Sequence, residues 1–143
     1  MKLIYSDFNK NTGISTVVLQ NREGCYKGIA RVHPEDDNDG NAITGCSIAE
    51  SRAMIKYHKA MIKKNKTKIK ALQSFLDDLI FDTSIPDIRS CNPIIRRLMI
   101  HIEYYKKENI MHQNCIDSYN MILEHRNKFR EKLKEIKHKE ANN

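Results

Sequence analysis

The chain has 143 residues, 40% apolar and 30% charged, with a formal net charge of +7. That allows one compact domain, or a small domain with a long extension, and describes a thin helix-rich particle with much wetted surface. The lack of an eighteen-residue apolar run and of a signal-like start argues against a membrane span or leader, so a soluble cytosolic protein is expected.

The first third reads as a small antiparallel sheet, with strands over Lys2 to Asp7, Ile14 to Gln20 and Cys25 to His33. The turns fall at Asn9-Lys10-Asn11-Thr12-Gly13 and Asn21-Arg22-Glu23-Gly24, and Pro34 ends the third strand by removing a ladder donor. Glu35 to Asn41 is acidic and loop-like. Ser47 followed by Glu50 has the pattern of a capping box, which predicts a helix over about 47–80. The connector from Phe81 to Asn92 contains Ser84, Pro86 and Ser90 and stops that helix, and Asn92-Pro93 restarts a second one over about 93–138.

The two helical segments answer each other. Ile48, Ile55, Ile62, Ile69 and Leu76 share one heptad row, and Ser51, His58, Asn65, Leu72 and Leu79 the other. On the second segment, Leu98, Tyr105, His112, Tyr119 and Arg126 alternate with Ile95, Ile102, Asn109, Ile116 and Leu123. Pairing positions whose numbers sum to 174 matches apolar to apolar and sets Asn65 against Asn109, a polar pair of the kind that fixes register. The expected fold is α+β: a three-stranded sheet over 1–46, then a long antiparallel helical hairpin over 47–143, together one structural unit. Beyond Arg126 a new stripe of Phe129, Leu133 and Ile136 is expected to pack on the sheet or on a second subunit. His58 and His112 fall in different seam layers and read as two tolerated polar positions.

Little familiar chemistry is present. There is no G-x-x-x-x-G-K, G-x-G-x-x-G or G-x-S-x-G, and His101-Ile102-Glu103 lacks the P-C-x-x-C partner of zinc deaminases. Cys25, Cys46, Cys91 and Cys115 match no zinc-ribbon or C-x-x-C spacing and read as reduced, packed thiols. We therefore expect no enzyme, no cofactor and no metal.

Charge is uneven. Residues 1–46 carry five bases and six acids, net −1, whereas 47–80 carry eight bases and three acids, net +5. Lys56, Lys59, Lys63, Lys64, Lys66, Lys68 and Lys70 follow one another without an acid, which fits either a solvated helix face or a surface for nucleic acid. At the tip, Phe81, Asn92, Arg89, Arg96 and Arg97 bring an aromatic, an amide and cations to the start of the second helix, where peptide donors and the dipole favour an anion. The competing reading has Phe81 closing the hairpin core while the arginines pair with Asp82 and Asp87. Arg31, His33, Arg52 and Tyr57 should meet where the third strand hands over to the first helix, either as a second site or to neutralise the acidic loop. Arg126 to Lys134, interleaved with acids, reads as solvated scaffold.

The stretches Gly28 to Asp36 and Gly45 to Ala53 resemble a small three-strand-plus-helix domain of bacterial and phage proteins. With the hairpin added, the whole chain resembles the phage Thoeris anti-defence proteins of the first described type, oligomeric sponges that sequester cyclic ADP-ribose isomers without cleaving them. The resemblance implies a homo-oligomer, a dimer or hexamer, in the host cytoplasm, with a ligand pocket at a subunit interface contacted by an aromatic and an amide from the segment between the helices. Phe81 and Asn92 fill those roles here. Arg89, Arg96, Arg97, Arg31, Arg52 and Tyr57 are added as candidates from charge and position. The alternative is a basic nucleic-acid- or nucleoprotein-binding phage protein using the Lys56–Lys70 stripe, and a structural phage component is a third possibility.

Overall fold

The computed structural model describes residues 1–31, 41–82 and 92–142. It has the expected α+β architecture: β1 (Lys2–Asn9), β2 (Ile14–Asn21) and β3 (Gly24–Arg31), then α1 (Asn41–Asp82) and α2 (Pro93–Ala141). The sheet is antiparallel in the order β1-β2-β3.

Both hairpins are built by one device. Asn9 Oδ1 accepts the amides of Asn11 and Thr12 at 2.9 and 3.3 Å, and Asn21 Oδ1 accepts those of Glu23 and Gly24 at 2.9 and 3.0 Å. An Asn side chain thus imitates the turn's own backbone acceptor. Gly13 closes the first turn at φ 68°, a conformation that costs a residue with a Cβ.

By contacts the chain forms two compact units, residues 1–57 with 115–143, and residues 58–114. In the first, the alternation of β2 and β3 turns Ser15, Val17, Leu19, Gly28 and Ala30 inward, where Ala49 and Ala53 of α1 complete the core. Small residues permit this approach: a Cβ on Gly28 would overlap the Ala49 carbonyl and lie 2.7 Å from the Ala53 amide nitrogen. In the second unit, Leu76, Ile95, Leu98 and Ile102 form a core joined by Ile69, Leu72, Leu79 and Ile80. All but Ile80 are seam positions read from the sequence.

Three expectations need correction. Helix α1 starts at Asn41, so Ser47 is inside it and caps nothing; its hydroxyl accepts a hydrogen bond from Arg126 Nη2 at 3.1 Å and its carbonyl accepts one from Ser51 Oγ at 3.0 Å. The stripe Phe129, Leu133 and Ile136 is not covered by the sheet, since all three side chains are exposed. The β1 strand buries almost nothing, with Leu3, Ile4 and Tyr5 exposed, because α1 packs over β2 and β3. Finally, His58 and His112 touch: their Nδ1 atoms lie 2.8 Å apart. Adjacent layers are one helical turn apart along the axis, about 5.4 Å, and two imidazoles leaning toward each other span it.

Candidate functional site

The start of α2 is fixed by Asn92. Its Oδ1 accepts the Ile94 amide at 2.9 Å and its backbone carbonyl accepts the Arg96 amide at 3.0 Å, while Pro93 has no N–H. An Asn cap before a first-turn Pro satisfies the donors that an open helix end would offer. The amides expected to hold an anion are therefore largely engaged, and attraction for phosphate rests on side chains. Arg96 and Arg97 supply it: both are exposed, and neither has an ion pair with a described residue.

Phe81, on the last turn of α1, is 89% exposed. It does not close the hairpin core; Leu79, Ile80 and Ile95 do that. A phenyl ring held in water is unfavourable by roughly 1.5–3 kcal/mol relative to burial, so this ring is available for a ligand or a second chain. Arg89 lies outside the described residues, as do Ser84, Ser90, Asp87 and the expected His33.

One concave surface near this end combines apolar floor and cations. Arg96, Met99, Ile100, Glu103, Tyr104 and Lys107 line a groove of about 520 Å³ along the outer side of α2. The positions recur at helical spacing, so one face of α2 carries them all, while the seam residues Ile95, Leu98 and Ile102 turn to α1. Met99, Ile100 and Tyr104 are each more than half exposed, with the Tyr104 ring edge-on to Tyr105 at 5.5 Å between centroids. Arg96 and Lys107 stand at the two ends, and Glu103 is 4.0 Å from Lys106 Nζ. Sequence reasoning found Arg96 but missed Tyr104 and Lys107. Their signal was an aromatic and a cation on the non-seam face together with Met99 and Ile100, where a solvated helix would place polar residues.

A second concavity, about 580 Å³, is lined by Lys66, Ile69, Lys70, Gln73, Ser74, Asp77 and Asp78. Its two carboxylates make it the poorer host for a phosphate.

At the strand-to-helix junction two cations of α1 hold the edge of β3. Arg52 Nη1 donates to the Ile29 carbonyl and Lys56 Nζ to the Lys27 carbonyl, both at 2.7 Å. Four residues advance about 6 Å along a helix and two advance about 6.6 Å along a strand, so the side chains match alternate carbonyls on the open edge of β3. Tyr57 packs edge-on against Tyr26 at 5.3 Å. Arg31 is exposed and no described contact joins it to Arg52 or Tyr57. Among the described residues no direct contact therefore joins Arg31 to the other two, and His33, the fourth of the expected group, lies outside them.

Inside residues 58–114 the polar seam is dense. His58 and His112 are 8% and 9% exposed, and the Glu108 carboxylate lies 3.4 Å from His112 Nε2. One of the two Nδ1 atoms donates and the other accepts, as the tautomers decide. Burial, then the adjacent His112, lowers the His58 pKa below its ordinary 6.5. One turn on, Asn65 is 1% exposed, and its Nδ2 and the Asn109 Oδ1 are buried without a hydrogen-bond partner among the described residues. Among those residues there is also no cluster of three metal-ligating groups, and no helix long and apolar enough to cross a membrane.

No protein-family model, curated protein or solved structure matches this chain.

Proposed function

We propose that this protein binds a small cyclic nucleotide carrying phosphates, of the cyclic ADP-ribose isomer class, and withholds it without cleaving it, as a phage anti-defence protein in the host cytoplasm. The observation that carries the reading is the α2 groove, where Arg96 and Lys107 bracket an exposed Tyr104 over Met99 and Ile100. Cations about eleven residues apart on a helix are separated by roughly 16 Å of rise, a span that flexible side chains close to reach a diphosphate. The tyrosine face stacks a base, an interaction of about 1–3 kcal/mol. The groove's volume lies within the range of small-molecule sites, roughly 300–1,000 Å³.

Tight retention needs an enclosed site, and this groove is open on one chain. A second copy of the chain supplies the cover in this reading, with the exposed Phe81, Ile100 and Tyr104 as the surface it buries. The resemblance described for Phe81 and Asn92 points the same way. Asn92 contributes through its cap, which holds Arg96 in place.

The test is thermal unfolding with and without cyclic ADP-ribose isomers, followed by chromatography of what heat releases. At a ligand concentration a hundred times Kd the folded state gains about 2.7 kcal/mol, enough to raise the midpoint by several degrees. The expected result is that shift, with intact ligand recovered. No shift at millimolar ligand removes the reading, and recovery of hydrolysed products removes its non-catalytic part.

A further inference from the structure

We infer that α1 carries a separate docking surface for the phosphate backbone of double-stranded nucleic acid, formed by Lys59, Lys63, Lys66 and Lys70. These residues recur at i, i+4, i+7 and i+11, so they stand in one row, and all four are exposed. None has an ion pair or other charge interaction with a described residue. The nearest acid C-terminal to the row on α1, Asp77, accepts a hydrogen bond from the Gln73 amide at 2.9 Å.

Like charges three and four residues apart destabilise a helix by a few tenths of a kcal/mol per pair. The last part of α2 shows how this chain avoids that cost, because Lys128, Lys132, Lys134 and Lys137 are interleaved with Glu131 and Glu135. The α1 row has no acid within it; Asp77 and Asp78 share a concavity with Lys66 and Lys70 at its end, and along the rest of the row an external anion relieves the repulsion. The row is about 16 Å long and carries a cation at nearly every turn, which suits a line of phosphates. Its neighbours toward the outer face are Ala60, Thr67 and Ser74 rather than aromatics, so it lacks the stacking platforms of single-strand binders. The recognition is therefore of a duplex backbone, without sequence preference.

Fluorescence anisotropy of a labelled 20-base-pair DNA duplex with the full chain, across a salt series, tests this. Four phosphate contacts predict a plot of log Kobs against log salt with a slope near −3.6. Changing all four to Gln should lower affinity at least tenfold and flatten the slope, whereas changing all four to Arg should retain both. The control is Lys128, Lys132, Lys137 and Lys139 all to Gln, which removes the same charge and should leave affinity within about twofold. Circular dichroism establishes that each variant is folded. Absence of duplex binding by the unmodified protein at 50 mM salt overturns the inference. An equal loss in the control variant, or equal affinity for poly-glutamate, overturns it too.

Discussion

Acidification should unfold this protein through His58 before its surface carboxylates matter. The Nδ1 atoms of His58 and His112 share one hydrogen bond across 2.8 Å, and both rings are buried. Protonating His58 places a positive charge inside this buried pair, beside His112. His58 accordingly has a pKa lowered from 6.5, first by burial and then by His112. The sign follows: below about pH 6.5 the unfolded chain binds a proton at His58 that the folded chain refuses, so stability is full above that pH and is lost as pH falls through the folded pKa. One proton limits the slope to about 1.4 kcal/mol per pH unit. Urea unfolding followed by circular dichroism at half-unit steps from pH 8 to 5 reads this directly. Changing His58 to Leu should abolish the loss between pH 6.5 and the folded pKa, and changing His112 to Gln should leave most of it, since burial is the larger cause. If the Leu variant retains the full slope of the unmodified protein, the assignment to His58 is wrong.

Other consequences are sharper in stability than in binding. Gly28→Val should destabilise the protein by 3 kcal/mol or more, at the upper end of the roughly 1–3 kcal/mol typical of overpacking, because the obstacle is the Ala49 backbone and not a movable side chain; a melting temperature within 2 °C of the unmodified protein refutes this. Replacing Asn65 and Asn109 together by Leu should raise stability by about 2 kcal/mol, since two buried unsatisfied atoms disappear, while loosening the register that the pair specifies. Denaturant melts measure the gain, and an unchanged or lower midpoint contradicts it. Arg52→Gln should cost about 1 kcal/mol by exposing the Ile29 carbonyl yet leave ligand affinity unchanged; titration calorimetry that shows weakened ligand binding would return Arg52 to the site.

The core was legible in the sequence because burial on a two-helix seam depends on period alone. Ile55, Leu76, Ile95, Leu98, Ile102 and Ile116 are all buried where the heptad rows put them. The sheet was legible because Asn and Gly at two turns leave few other conformations. What the pattern hid has physical reasons. Periodicity assigns residues to layers but not the reach of their side chains, so the contact between His58 and His112 was invisible. A basic residue carries no mark of its acceptor, so the hydrogen bond from Arg52 to the open edge of β3 was not legible. The rule that non-seam positions face solvent concealed Tyr104 and Lys107, although an apolar outer face on α2 was there to be noticed. Phe81 was singled out as an aromatic at the tip, but only coordinates distinguish a ring in the core from one 89% exposed.

The proposal that the outer groove of α2 and the Phe81 end hold a nucleotide is tested most directly by titration calorimetry of a cyclic ADP-ribose isomer into the unmodified protein, Phe81→Ala and Tyr104→Ala. Both rings are largely exposed on the single chain, so circular dichroism should show each variant folded. Each should weaken binding by about five- to a hundredfold, the equivalent of 1–3 kcal/mol of stacking. Unchanged affinity in both variants would place the nucleotide elsewhere and contradict the account.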